Sequence, residues 1–406
     1  MQRFTNPKDE NTSRRDLVII PEVGKKGQEK SMKARISAGF SFSMGLAAVW
    51  MLAAVQFATA EEGIHYSFGD IVEIAPDTRL VIGQPLEASM KQPDIANSLM
   101  YKAGTTLVVV DTGATPSFIP LLNKAAEQLR PFDAVLLINT HLHIDHVGNN
   151  GWIDTLGVPA RHYISAHDLV LMRDQLAYFA DRFGAASPYL PELPRAKELA
   201  ADLLSWFGKV NTDTKSLAAL ESLPLEEIKI GSTIWNGWRF LDGKVAVLQT
   251  QGHTDGHVAV FLPDLRLLDL ADETTGYYSA YGGTPAWQLM TLERAAEAFR
   301  EGAADTLVDG HTFDVLRGEA ATKKMDGMVR DALAYNAAAV RILNEHAEGI
   351  TVVELATAID KAPEIADTSS GANSLPLYSV MQVLNKLREL GAPLPKKPAD
   401  PVAFPH

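Results

Sequence analysis

Side chains of metal-ligating type cluster at the ends of apolar runs. In Thr140-His141-Leu142-His143-Ile144-Asp145-His146, three imidazoles and a carboxylate fall within six positions. The segment directly follows the apolar run Val135–Ile138, which puts it in the loop at a strand's C-terminal end. Gly252-His253-Thr254-Asp255-Gly256-His257 follows the run Val245–Leu248 in the same way. Asp272 closes the run Leu265–Leu270, and His311 ends Val308-Asp309-Gly310-His311 after another short strand. A lone histidine is more often a satisfied structural residue. Four ligand-type groups in six positions are harder to account for that way, because burying them without a cation is costly. Four strand ends, each offering nitrogen or oxygen, describe a converged dinuclear site. The chain has no cysteine, so thiolate zinc sites, iron–sulfur clusters and thiol nucleophiles are excluded. Any cation must be held by imidazole and carboxylate.

The elements that carry these clusters follow from periodicity. Strand-like runs recur at Ile71–Ile74, Leu80–Ile82, Leu107–Val110, Val135–Ile138, Val245–Leu248, Val258–Leu262 and Leu265–Leu270. Amphipathic stretches such as Ser117–Arg130 and Leu292–Glu301 lie between them, and strands interleaved with helices argue an α/β sandwich. Residues 166–220 read as helices joined by turns at Pro188, Pro191 and Pro194. Past residue 325 the pattern is helical again, over Met325–His346, Val352–Ala358 and Leu377–Leu390, before a Pro-rich extended tail.

Composition narrows the partners. The chain has 406 residues with 37 basic and 50 acidic side chains, a net charge of −13. Residues 1–60 carry nine of the basic and five of the acidic groups, which leaves −17 over the other 346. Such a surface repels phosphate backbones, so no nucleic-acid partner is expected. The leader has the parts of a signal peptide: Lys33 and Arg35, the uncharged stretch Ile36–Phe57, and the small-x-small site Ala58-Thr59-Ala60. The signal peptide is placed at about 32–60, with export to a periplasm or beyond and no stable membrane insertion after cleavage.

In its histidines the chain resembles the metallo-β-lactamase superfamily of metal-dependent hydrolases, whose hallmark is H-x-H-x-D-H followed by a distant His, an Asp and a final His. That order is present in full, and Val110-Asp111-Thr112-Gly113 matches the family's upstream strand-Asp-Thr-Gly. The likeness covers residues 65–320. It implies a four-layer αββα sandwich over residues 61–324, a helical insertion at about 166–220, and a helical, winged-helix-like appendage with a Pro-rich tail over 325–406. It also implies two divalent cations, zinc first. His141, His143 and His253 would hold one, Asp145, His146 and His311 the other, and Asp272 would bridge them. Asp272 is preferred to Asp269, which sits inside the strand; Ala271 stands where the family usually has Gly. Asp111 and His257 are expected behind the ligands, orienting them.

The expected chemistry is hydrolysis by a metal-bound hydroxide, with Asp145 orienting the nucleophile or moving its proton and Tyr277 a candidate contact to a substrate oxygen. His162, His167, His346 and His65 have no motif around them and read as structural or surface residues. Between His146 and His253 lie 106 residues that include Tyr178, Phe179, Phe183, Tyr189, Trp206 and Phe207. These aromatics read either as a lid over the metals or as the insertion's own core. Trp287 is placed in a loop on the metal face. The expected substrate is a small, apolar ester or lactone. A β-lactam, phosphotriester or sulfate ester is the alternative within the fold; a nuclease, a thiolester hydrolase or a non-hydrolytic redox or binding protein would be a different class. The appendage is assigned to packing or to a homodimer.

Overall fold

The computed structural model describes residues 66–84, 93–275, 279–312, 314–365 and 376–402. The expected leader lies outside them. One sheet contains β1 (Ile71–Ala75), β2 (Thr78–Val81), β3 (Ser98–Ala103), β4 (Thr106–Val110), β5 (Ala134–Ile138), β6 (Ala160–Ile164) and β7 (Leu217–Ala219). These run in sequence order across the sheet, antiparallel as far as β4 and parallel from β4 to β7. The second sheet contains β8 (Glu226–Ile230), β9 (Thr233–Phe240), β10 (Val245–Gln249), β11 (Val258–Leu262), β12 (Leu267–Asp269), β13 (Thr306–Val308) and β14 (Leu316–Arg317). In it the β12–β13 pair is parallel and the others are antiparallel.

The helices are α1 (Ile119–Gln128), α2 (Ile144–Val147), α3 (Ala166–Met172), α4 (Gln175–Ala186), α5 (Ala196–Ser205), α6 (Pro285–Arg300), α7 (Gly318–Glu345), α8 (Val352–Asp360) and α9 (Pro376–Glu389). Among the described residues, none is long and apolar enough to cross a membrane.

Central strands read as unbroken apolar runs because both of their faces are covered. Along β4 and β5, Val108, Val110, Leu136 and Ile138 face the second sheet and meet Trp238, Val247 and Val260. The alternate residues Leu107, Val109, Val135 and Leu137 face outward onto Phe118, Leu122 and Leu129 of the α1 region. On the far side of the second sheet, Trp235, Leu248, Phe261 and Leu268 pack against α6, α7 and the C-terminal helices. The result is the helix–sheet–sheet–helix layering expected from the sequence.

Strands β3, β6, β7, β8, β9 and β14 are not among the expected runs, and three further details differ. The run expected as a strand over Leu265–Leu270 shortens to β12, because Pro263–Leu265 form a 3-10 turn and Arg266 takes a left-handed conformation. The helix expected over Leu292–Glu301 starts earlier, at Pro285. Trp287 therefore stands on α6, 40% exposed, rather than in a loop on the metal face.

Register levels the functional ends of the strands: Val110 pairs with Ile138 and Ile138 with Tyr163 in one sheet, Asp269 with Val308 in the other. The two sheets are tied at this end by Asn97. Its side-chain oxygen accepts from the Gly83 N–H at 2.8 Å, and its amide donates to the carbonyls of Asp309 at 2.9 Å and Thr312 at 2.8 Å. The Asn97 N–H donates to the Gly310 carbonyl at 2.7 Å. Removing the amide in Asn97→Ala strands several buried groups. The variant should lose about 1–3 kcal/mol of stability, read as a lower urea midpoint. A midpoint equal to the wild type would show that the latch carries no load.

Candidate metal centre

The loop after β5 delivers His141 and His143, and α2 then turns Asp145 and His146 back toward them. His141 Nε2 lies 2.9 Å from His143 Nδ1, and His253 Nε2 lies 3.2 Å from the same atom. Asp272 Oδ2 is 3.5 Å from His253 Nε2 and 3.9 Å from His141 Nε2. Four donors at 2.0–2.1 Å from one tetrahedral cation would sit about 3.3 Å apart, close to this spacing.

The second group is as tight. His146 Nε2 and His311 Nε2 are 3.3 Å apart, and Asp145 Oδ2 is 3.3 Å from the first and 3.2 Å from the second. Asp272 turns its other oxygen to this group, with Oδ1 3.1 Å from His146 Nε2 and 3.3 Å from His311 Nε2. Its carboxylate thus lies between the two groups, one oxygen toward each. Asp272 Oδ1 is buried and without a hydrogen bond of acceptable geometry among the described residues. Nitrogen approaches nitrogen and an oxygen is orphaned, so the donor set fits divalent cations. Asp269 instead accepts from the Ala271 N–H at 3.0 Å, and burial pushes its carboxyl up to about 8.

Partners on the outer side of the His141, His143 and His146 rings fix the inward atom of each. Asp111 accepts from His146 Nδ1 at 2.7 Å, and from the Thr140 hydroxyl at 2.6 Å. That hydroxyl lies 3.0 Å from His141 Nδ1, so both rings carry their proton outward and present Nε2. The Tyr178 hydroxyl donates to the Tyr281 carbonyl at 3.2 Å and sits 3.0 Å from His143 Nε2, leaving Nδ1 inward. His257, placed behind the ligands by the sequence, accepts from the Asp272 N–H at 3.3 Å through Nε2 and meets the Thr250 hydroxyl at 2.7 Å through Nδ1.

Burial and neighbouring charge divide the two groups. Burial, reinforced by adjacent imidazoles, holds His141 and His143 well below the usual imidazole range and pushes His253 down to about 4. Burial also opposes the charged forms of His146 and His311, but there the surrounding carboxylates, Asp272 first, hold both rings well above the usual range. Asp145 and Asp272 are held low by the same two imidazoles against the opposing effect of burial. The first group thus offers neutral lone pairs, and the second binds protons where a cation would otherwise sit.

Sequence reading missed several supports. Asp168 of α3 is fully buried; its Oδ2 accepts from the Leu142 N–H at 3.0 Å and the Thr254 hydroxyl at 3.3 Å, joining the two histidine loops. A Cβ on Gly256 would come 2.2 Å from Asp168 Oδ1, and one on Gly310 would come 2.3 Å from Asp272 Oδ1, so both loops need glycine there. Asp94 Oδ1 lies 3.0 Å from His311 Nδ1. The Ser165 side chain capping the Asp168 N–H is a readable helix-start signal; Asp94 and Tyr281 carried none.

Of the remaining residues, Tyr277 lies outside the described residues. His162, His167 and His346 stand apart from the centre, His162 between Thr214 and Asn139, His167 against Asp168, His346 on the Ile342 carbonyl. The insertion's aromatics divide: Tyr178 and Phe179 face His143, with ring centroids at 5.6 Å each, whereas Phe183 and Phe207 are buried in the helical core.

Residues 92–272 match the family model of the metallo-beta-lactamase superfamily, and this part of the chain is a domain of that superfamily. Solved structures share the fold at low identity. The stereoselective inverting sec-alkylsulfatase Pisa1 from Pseudomonas sp. is 17% identical with a TM-score of 0.53, over 80% of this chain and 50% of that one. A metallo-beta-lactamase family protein from Thermus thermophilus is 17% identical with a TM-score of 0.54, over 82% of this chain and 100% of that one. A beta-lactamase domain protein from Burkholderia ambifaria is also 17% identical, with a TM-score of 0.52, over 84% and 94%. The chain spans half the length of the alkylsulfatase it matches. No curated protein matches it.

The split between the groups makes metal uptake proton-linked. Above the ordinary imidazole range His146 and His311 still hold protons in the metal-free protein, so binding must displace them and affinity must rise with pH. Calorimetric titration with zinc, in buffers of different ionisation enthalpy, should show net proton release and an affinity that rises with pH. Zero release would refute the protonated second group.

Proposed function

We propose that this metallo-beta-lactamase superfamily protein is a hydrolase with two divalent cations, zinc first, acting on an ester-type bond of a small molecule. The observation that carries the reading is the Asp272 carboxylate, one oxygen turned to each of two histidine groups. Cations bound there supply Lewis acidity and lower the pKa of coordinated water. Asp145, held as an anion between His146 and His311, orients the attacking water through a carboxylate oxygen. Asp111 and Tyr178 keep the ligand rings in one tautomer, so no reorganisation is needed during reaction. The rings of Tyr178, Phe179 and Tyr281 beside His143 make an apolar wall that excludes water and suits an apolar acyl or alkyl group.

Carboxylic esters and lactones are the first substrate class. Sulfate esters are the second. The acidic balance of the chain supports a small molecule over a nucleic acid. Metal analysis of the purified protein should give about two equivalents, and one or none would sink the dinuclear reading. A panel of p-nitrophenyl acetate, an acyl-homoserine lactone, nitrocefin, a phosphotriester and an alkyl sulfate should show turnover of at least one member. That turnover should fall by at least about a hundredfold in Asp272→Asn, with unchanged circular dichroism. Inactivity on every member would reject the hydrolase reading.

The leader supports export. We place the mature protein in a periplasm or outside the cell, beginning at Glu61. N-terminal sequencing of the protein from cell fractions checks this: a start at Glu61 outside the cytoplasm is expected, and an intact leader on cytoplasmic protein would exclude it.

A further inference from the structure

A cavity of about 470 Å³ lies between α4, the 280–282 segment and α9. Its size is in the range of small-ligand pockets. α4 contributes Arg182 and α9 contributes Arg388 and Asn385, while Met381, Leu384 and Ala280 supply apolar surface. Two guanidinium groups on one cavity stand out in a chain with a net charge of −13; Asp181 is the acidic residue among those lining it.

The donors there are incompletely used. Arg182 Nε is buried and has no hydrogen-bond partner among the described residues, and Nη2 reaches Asp255 Oδ2 only at 4.0 Å. Arg388 uses Nη1 on Asn385 Oδ1 at 2.6 Å, which leaves the other donors of its fork. A Cβ on Gly282 would stand 2.7 Å from Arg182 Nη1, so glycine lets the 280–282 backbone pass close to that guanidinium.

This cavity adjoins the metal centre through two tyrosines. The Arg182 guanidinium lies 5.4 Å from the Tyr178 ring centroid, and the Tyr178 hydroxyl touches His143 Nε2. Ala280 and Gly282 flank Tyr281, whose ring centroid is 4.5 Å from that of His143 and 5.6 Å from that of Tyr378 on α9.

We propose that Arg182 and Arg388, the latter positioned by Asn385, whose amide donates to the Ser279 carbonyl, form a recognition site for a singly charged oxyanion head, carboxylate or sulfur oxyanion, carried on an apolar chain. Planar guanidinium forks match such heads in charge and shape, and the methionine, leucine and alanine surface takes the chain. The site's place in catalysis rests on the hydrolase reading: it would hold the anionic end of the substrate or product one side chain away from the metals. Binding itself needs no turnover. It also gives the C-terminal helix a part in ligand selection.

The test is calorimetric binding of decane-1-sulfonate, below its micellar concentration, with decan-1-ol as the uncharged comparison. The non-hydrolysable sulfonate should bind at least about tenfold more tightly than the alcohol. Arg388→Gln, at an exposed position, and Arg182→Gln should each weaken the sulfonate about tenfold and leave the alcohol unchanged. Asp272→Asn should keep wild-type sulfonate affinity. Equal binding of sulfonate and alcohol, or wild-type affinity in Arg388→Gln, overturns the proposal. Affinity lost in Asp272→Asn also overturns it, since the head then sits on the metals. Arginine-dependent binding by a protein inactive on the ester panel would support this site while rejecting the hydrolase reading.

Discussion

Seven side chains crowd eight donor atoms into two adjoining groups, and most of the surrounding structure exists to hold them there. In the metal-free chain the arrangement is unfavourable by itself. His141 and His143 touch with no proton that both can use, and Asp272 Oδ1 has no proper hydrogen bond among the described residues. Cations reverse the balance, because ligand repulsion becomes coordination. Such a centre persists only if rigid elements impose it. Asp111, Tyr178, His257 and Asp168 do so by occupying the outer atoms of the rings or the backbone between them.

The same demand shows in the backbone. Asp111, Gln251 and Ala271, just past the ends of β4, β10 and β12, all have positive φ, at 56°, 55° and 43°. Non-glycine residues in this region cost energy, and such strain concentrates where a side chain must be aimed. Ala271 shows why a glycine suits its position: the chain must turn sharply there to bring Asp272 under both histidine groups. The sheets absorb the cost, since each of these turns is anchored by a strand buried on both faces.

The helical additions are not separate from the chemistry. The insertion reaches the centre through Asp168 and Tyr178, and α9 reaches it through Tyr378 against Tyr281. The insertion, the C-terminal helices and the outer face of the second sheet share one apolar cluster. Of the aromatics that read equally as lid or as core, Tyr178, Phe179, Phe183 and Phe207 belong to the helical core, and Tyr178 and Phe179 in addition face His143.

Candidate ligand residues were legible in the sequence, because metal coordination demands particular side-chain types and a loop at a strand end fixes their spacing; their division into two groups came from the family resemblance, and the structure brings the same residues together in two groups. Buried strands such as β4, β5, β10 and β11 were legible too, since their apolar runs have no interruption, whereas the equally buried β3, broken by Ser98 and Lys102, went unread. Strands with one exposed face, such as β8 and β9, and the short β7 and β14 carried weaker signals and went unread. What only tertiary structure decided is everything that depends on long-range juxtaposition. Asp94 beside His311, Asp168 between two loops, Tyr178 on His143, and the two arginines on one cavity are separated by tens to hundreds of positions along the chain. Local sequence carries no constraint on such pairs. Their contact is set by how the two sheets and the helical layers pack, and that packing is a property of the whole chain.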